Sequence, residues 1–455
     1  MDDRQLLTAP VKTEKMPPGI PYIIGNEAAE RFSFYGMRAI LVVFMTQYLR
    51  DANGELAVMT ESKANEWYHL FLSLNYFLPV FGALLADAFW GKYRTIFWLS
   101  LVYSAGSLTL AFDHTRVGLT IGLTLIAIGS GGIKPCVSAN VGDQFGSSNQ
   151  HMLSKAFSWF YFSINAGSMI SIPLTPVLLK FAGPGWAFGV PGVLMAVATV
   201  IFWAGRYKFV HIPPAGRSFV RENLNREGLA IIGRIAGIYV FVAIFWSLWD
   251  QSGGEWVLQA EKMDRSVQLF GYSIEILSSQ IQTLNSIFIL VGIVFCPYVL
   301  YPFISRIYPL NELRKMGIGL VVTAASFLVS AWIESRITAG FKPSIGWQVP
   351  AYILLSLGEV MVSVTALEFA YTQAPKRMKS IIMVLYLWAI SAGNLFTALV
   401  HKFIANEDGT SKLPGATFYL FFAALCFVTA IVYTFVARVY KAKTYLQDET
   451  PAAAS

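Results

Sequence analysis

RYKFVHIPPAGRSFVRENLNREGLAIIGR, residues 206 to 234, is the longest charged interruption in an otherwise oily chain, and it falls near the middle of the 455 residues. It carries Arg206, Lys208, Arg217, Arg221, Arg226 and Arg234 around Pro213 and Pro214. On each side of it lie about six apolar runs of roughly 20 residues, long enough to cross a bilayer as helices. These runs begin near Pro21, Tyr68, Arg94, Val117, Ser154 and Trp186 before it, and near Leu229, Gln280, Lys315, Trp347, Lys379 and Ala416 after it. The expected fold is an all-α integral membrane protein of twelve transmembrane helices in two six-helix bundles. The first bundle is expected over residues 1–208, a cytoplasmic linker over 209–228, the second bundle over 229–446 and a disordered tail over 447–455.

Composition supports this division. With 55% hydrophobic and 13% charged residues the chain is too apolar for a soluble enzyme of its length. Residues 1 to 20 are polar and hold Pro10, Pro17 and Pro18, so no cleavable leader is expected and the first helix is retained. With both termini cytoplasmic, about twice as many lysines and arginines fall on the inner side as on the outer, as the positive-inside rule requires. That bias accounts for the net charge of +7 without any nucleic-acid partner. The location expected is the cell (inner) membrane, multi-pass. Cys136, Cys296 and Cys426 lie in or beside spans and read as small apolar residues.

GALLADAFWGKYR, residues 82 to 94, resembles the loop motif of the major facilitator superfamily. Gly82 and Gly91 permit close backbone approach, and Asp87 at a helix end suits a neighbouring dipole or the adjacent Lys92 and Arg94. Ordinary positive-inside flanking charge is the plainer reading.

Function is sought in charges deep within spans. Each costs about 2.5 to 3.5 kcal/mol on insertion scales, so such groups pair with one another or line aqueous cavities. GNEAAERFSFYGMR, residues 25 to 38, places Glu27, Glu30, Arg31, Phe34, Tyr35 and Arg38 on one broad helix face. Lys134 follows in the fourth span within GSGGIKPCVSAN, whose glycines and Pro135 can bend or break the helix. The second half contributes Asp250, Asn285, Glu359 and Glu368. Cations thus gather in one half and carboxylates with amides in the other. A small zwitterion such as a short peptide would bridge them, its backbone bonding to Asn165 and Asn285 whatever its side chains. Carboxylates whose basic partners come and go can couple proton movement to binding, which gives symport.

The residues match a family pattern over nearly the whole chain, and the sequence resembles the proton-dependent oligopeptide transporters. The matching segments are Glu27 to Arg38, GGIKPCVSAN (Gly131 to Asn140), FYFSINAGS (Phe160 to Ser168), FWSLWDQSG (Phe245 to Gly253), QIQTLN (Gln280 to Asn285) and GEVMVSVTALEF (Gly358 to Phe369). WYH at Trp67 to His69 is similar to the animal carriers in particular. The resemblance implies a major facilitator fold and import of di- and tripeptides with protons as the coupling ion, without other cofactor or obligate protein partner. It implies that Arg31 and Lys134, with Arg38 nearby, meet the peptide carboxylate, and that Asn165, Asn285 and Glu359 receive its ammonium. Tyr35, Tyr76, Tyr161, Trp256 and Trp388 would line an amphipathic pocket. Glu27, Glu30, Arg31, Lys134, Asp250 and His69 would handle protons, and an Arg38–Asp250 pair would close the outer gate.

The sequence departs from the family in three places. Phe34 stands where the family has tyrosine. The segment from Ser335 to Gly346 is too short for the extracellular domain of animal carriers, and the central linker is too short for an extra helix pair, so a minimal, bacterial-type form is expected. Plainer readings remain for several residues. The charged stripe could be a structural ion-pair cluster with Lys134 bridging Glu27 or Glu30. Asn165 and Asn285 could be interhelical glue, and His69 an interior hydrogen-bonded residue. The five histidines are scattered and no metal or nucleophile motif is present, so an enzyme is not expected. The alternatives are a carrier of nitrate or another small anion, and a nutrient sensor on the same fold.

Overall fold

The computed structural model describes residues 6–440 apart from 147, 215–225, 270–271, 367–368, 370–378 and 407–409. Most of the expected linker, the tail and Glu368 therefore lie outside the described residues, as do the side chains of Asp87 and Tyr161. The first group of six helices is α1 (Ile20–Gln47), α2 (Glu61–Trp90), α3 (Lys92–Phe112), α4 (Arg116–Asp143), α5 (Leu153–Ala182) and α6 (Pro184–Ala204). The second is α7 (Gly228–Glu261), α8 (Ser278–Ser305), α9 (Glu312–Thr338), α10 (Ile345–Val364), α11 (Lys379–Ile404) and α12 (Ala416–Val439). Among the described residues eleven stretches are long and apolar enough to cross a membrane. The twelfth, α1, is 28 residues long and holds the four charges of the stripe. Each group encloses its own buried apolar core, so the expected two-bundle architecture is the observed one.

The ends of the spans correct the sequence reading in places. The α2 helix starts at Glu61, seven positions before the expected Tyr68, because Thr60 caps it by accepting the Lys63 amide and its first turns bury Asn65 and His69 on an otherwise polar face. Phe209, expected to open the linker, is fully buried against Tyr22, Tyr93 and Phe202 of the first bundle. The all-α expectation also misses a hairpin, Ser266–Leu269 paired antiparallel with Tyr272–Glu275 between α7 and α8. Pro135 does not break α4, which runs through it as one helix.

Twelve crossings put the start of α1, the end of α12 and the 206–214 segment on one face, where Leu7 pairs with Val210. The opposite, distal face is where the bundles are tied. Lys262 of the second bundle pairs with Glu61 of the first at 2.7 Å, Asn65 donates to Glu255 at 3.0 Å, and Ser73 and Ser391 hydroxyls meet at 3.1 Å. Gln280 donates to the Pro173 carbonyl at 2.9 Å, and Lys180 pairs with Glu275 of the hairpin at 2.7 Å.

Two glycine contacts set how closely helices approach. A Cβ on Gly82 of α2 would lie 2.3 Å from the Gly132 carbonyl oxygen of α4. In α7 the helix gives way to a tight turn at Asp250–Gly253, and Cβ atoms on Gly253 and Gly254 would strike the Tyr68 hydroxyl and Asn65. The predicted consequence concerns the first of these. Gly82→Ala should destabilise by about 1–3 kcal/mol through backbone overpacking, read as a lower melting temperature in detergent. Gly233→Ala, with open space at its Cβ, should leave it unchanged.

Candidate functional site

The charged stripe of α1 folds into a compact cluster. The Arg31 Nε lies 2.6 Å from Glu27 Oε1 and 3.1 Å from Glu30 Oε2, with both glutamates buried and the arginine slightly open. Ser130 of α4 donates to Glu30 Oε1 at 2.7 Å. Ser130 sits one turn before Lys134, so the same α4 face supplies both.

Lys134 bridges neither glutamate. Its ammonium lies 4.3 Å from the ring centres of both Phe34 and Tyr76, and among the described residues no side chain within hydrogen-bonding distance satisfies it. A cation on two aromatic faces is held by the ring quadrupoles. Phe34, the departure from the family's tyrosine, is thus part of the lysine's seat. Tyr76 also packs against the cores of both bundles, placing this cation at their boundary.

Across the boundary Glu359 sits just before a π-helical turn of α10, Val360–Val364, a distortion common at functional sites. The Glu359 Oε2 accepts from Trp249 Nε1 at 2.5 Å and from Asn285 Nδ2 at 2.9 Å, and Asn285 also donates to Ser356. Both donors to the carboxylate are neutral. Among the described residues, Lys134 in one bundle and Glu359 in the other have no ion-pair partner, although both are deep in spans. Arg31, Tyr35, Tyr76, Lys134, Asn165, Asn285 and Glu359 are all half-buried, whereas Glu27 and Glu30 are closed off.

On the distal side of these groups, Arg38 Nη2 lies 2.5 Å from Asp250 Oδ1, which is the pair expected from the sequence. Arg38 Nε donates to the Tyr68 hydroxyl at 2.7 Å, and its guanidinium stands over the Trp249 ring at 5.2 Å. The Asn394 amide donates to Asp250 Oδ2 at 2.6 Å, and its carbonyl lies 2.7 Å from His69 Nδ1. Trp249 therefore touches both the Arg38 charge and the Glu359 carboxylate.

Two further aromatic positions come out differently. Trp256 is a core residue. It is wholly buried between Phe327 and Tyr352 in the second core, because the turn at Gly253 and Gly254 swings the last part of α7 inward. Trp388 is partly exposed, stacked on Phe77 and donating to the Phe77 carbonyl. Sequence reasoning missed Tyr68, Ser130, Trp249 and Asn394. A polar side chain isolated in an apolar span was a usable signal for Asn394, and helical spacing from Lys134 for Ser130. The Lys92 ammonium of the 82–94 motif meets Asp143 at 2.6 Å, a partner not anticipated.

Removing the Ser130 hydroxyl leaves a buried carboxylate oxygen short of a donor. Ser130→Ala should cost about 1–3 kcal/mol, measured as a fall in melting temperature, whereas Ser335→Ala, an exposed hydroxyl bonded only to its own helix, should cost almost nothing.

The family profile described as "PTR2: POT family" matches residues 93–231 and 222–420. Peptide transporter family 1 of Drosophila melanogaster is 37% identical over 367 residues, 70% of this chain and 48% of that protein. Solute carrier family 15 member 2 of Homo sapiens is 33% identical over 435 residues, 80% of this chain and 58% of that one. The chain thus spans about half the length of the curated relatives it matches. Among solved structures, the POT family transporter PepTSo superposes with a TM-score of 0.83 at 35% identity, covering 93% of this chain and 98% of the other. An auto-inhibited POT family peptide transporter gives 0.82 at 34% identity, covering 96% and 99%.

Proposed function

The chain belongs to the POT family, and we propose that it is a proton-coupled symporter importing di- and tripeptides by alternating access. One observation carries the reading. A lysine ammonium without an anionic partner and a glutamate carboxylate without a cationic one face the boundary between the bundles from opposite sides. Leaving such charges uncompensated in a membrane interior is costly, and a guest with its own two poles supplies what each lacks. The peptide carboxylate binds Lys134 with Arg31 beside it, and the peptide ammonium binds Glu359 with Asn285 and Asn165. Tyr35 and Tyr76 provide amphipathic walls.

An anion carrier would use Lys134 but would have no need of a Glu359 freed from cations, which disfavours nitrate.

The distal face is the outer one, by the excess of basic residues on the terminal side. Proton loading involves Glu27, Glu30 and Asp250, whose partners Arg31 and Arg38 exchange them for solvent or substrate during the cycle. The Arg38–Asp250 pair holds the outer side shut, and breaking it lets the bundles rock apart around the central charges. The membrane potential adds about 2.3 kcal/mol per charge moved across 100 mV.

Two experiments test this reading. Proteoliposomes containing the protein should accumulate labelled dialanine when the outside is acidified, and a protonophore should abolish accumulation; uptake indifferent to the gradient removes the symport assignment. Cysteines introduced at Ser73 and Ser391, whose hydroxyls meet across the bundles, should cross-link on oxidation and stop uptake until reduced. Full uptake by the cross-linked protein would contradict alternating access.

A further inference from the structure

A cavity of about 220 Å³ opens on the distal face, away from the central charges. Glu61, Glu255, Lys262, Glu334, His401 and Tyr419 contribute to it, from α2, α7 and the residue after it, α9, α11 and α12. Its mouth is solvated, with the Glu61 and Lys262 side chains 48% and 38% exposed, while His401 at its floor is 1% exposed. Among the described residues neither ring nitrogen of His401 has a hydrogen-bond partner, which is costly for a buried polar group. The nearest carboxylate oxygen, Glu255 Oε1, is 3.6 Å from Nε2.

The His401 ring stacks on His69, with centres 6.0 Å apart and planes within 9°. The Asn394 amide donates to Asp250, so its carbonyl faces His69 and the Nδ1 of His69 carries the proton. The Nε2 of His69 is then the basic nitrogen, and it too is buried without a partner. Three unsatisfied imidazole nitrogens on two stacked rings make a site that a water molecule or a proton completes.

We propose that this cavity is an outer proton-loading site, in which His401 takes a proton from the external medium and passes it inward to His69. The inference rests on the symport reading and extends it to the route of entry. A hydronium ion at the mouth gives its proton to a His401 nitrogen and leaves as water. The imidazolium formed is faced by Glu255 and Glu334 as counter-charges, with Glu61 already paired to Lys262, Tyr419 from α12 and His69 from α2. His401 then releases the proton through a bridging water to His69 Nε2 and returns to neutral. His69 is faced by Arg38 and Asp250 beyond Asn394, and by Tyr68. Its new charge places a second cation near the single carboxylate that holds Arg38, which loosens the outer closure.

The test uses the full-length protein in proteoliposomes with labelled dialanine. His401→Phe keeps a ring to stack on His69 and Phe418 and removes the titratable nitrogens. It should lower uptake driven by external acid by about tenfold or more, while exchange of peptide at equal pH stays within about twofold of the parent. Glu255→Gln should weaken gradient-driven uptake in the same sense and provides a second reading should the first variant fold poorly. Gradient-driven uptake at the parental rate in both variants would overturn the proposal, as would equal loss of exchange and gradient-driven uptake. A parent protein that ignores the gradient would instead overturn the symport reading beneath it.

Discussion

The rest of the structure depends on the buried pair between Arg38 of α1 and Asp250 of α7. It joins the two bundles at a point where neither charge reaches water, and each partner is held by further groups: Tyr68 and Trp249 on the arginine, Asn394 on the carboxylate. Removing one member of such a pair costs about 3–5 kcal/mol because the other is stranded. The chain makes room for the pair by interrupting α7 immediately after Trp249, where Gly253 and Gly254 allow α2 to approach within a distance that any side chain would forbid. The pair is consequently strong while intact and sensitive to any competing charge.

The other charges are arranged around that pair by the same economy. Glu27 and Glu30 are neutralised by Arg31 and Ser130 within the first bundle. Lys134 and Glu359, by contrast, rest on aromatic faces and neutral donors with no ion-pair partner among the described residues. Trp249 ties the two regions together, since its N–H meets Glu359 and its ring carries Arg38. A change at the central charges is therefore mechanically next to the Arg38–Asp250 pair.

Much of the fold was legible because bilayer thickness acts on composition directly: apolar runs of spanning length gave the number of helices, and the charged segment at 206–234 gave the division into bundles. Where capping or packing overrides hydropathy, the reading failed. Thr60 starts α2 well before its apolar run, Phe209 belongs to a core despite its charged neighbours, and the hairpin at 266–275 has too few residues to leave a clear pattern. At the site, the stripe on α1 and the Arg38–Asp250 pair followed from helical spacing and the family resemblance. The seat of Lys134 did not, since a cation without an ionic partner leaves no trace in sequence. The inward turn of Trp256 depends on backbone geometry at two glycines, and the contacts of Tyr68, Trp249 and Asn394 arise only when two bundles meet.

The most direct test of the proposed gate role of Arg38 and Asp250 is the separation of the bundles at the distal face. Spin labels at Lys63 on α2 and Lys412 beyond α11, with Cys136, Cys296 and Cys426 replaced, report that distance by double electron–electron resonance. With Arg38 and Asp250 intact the distribution should be dominated by short distances, and Asp250→Asn should shift weight to longer ones. An unchanged distribution in the variant would mean that the pair does not hold the outer side closed.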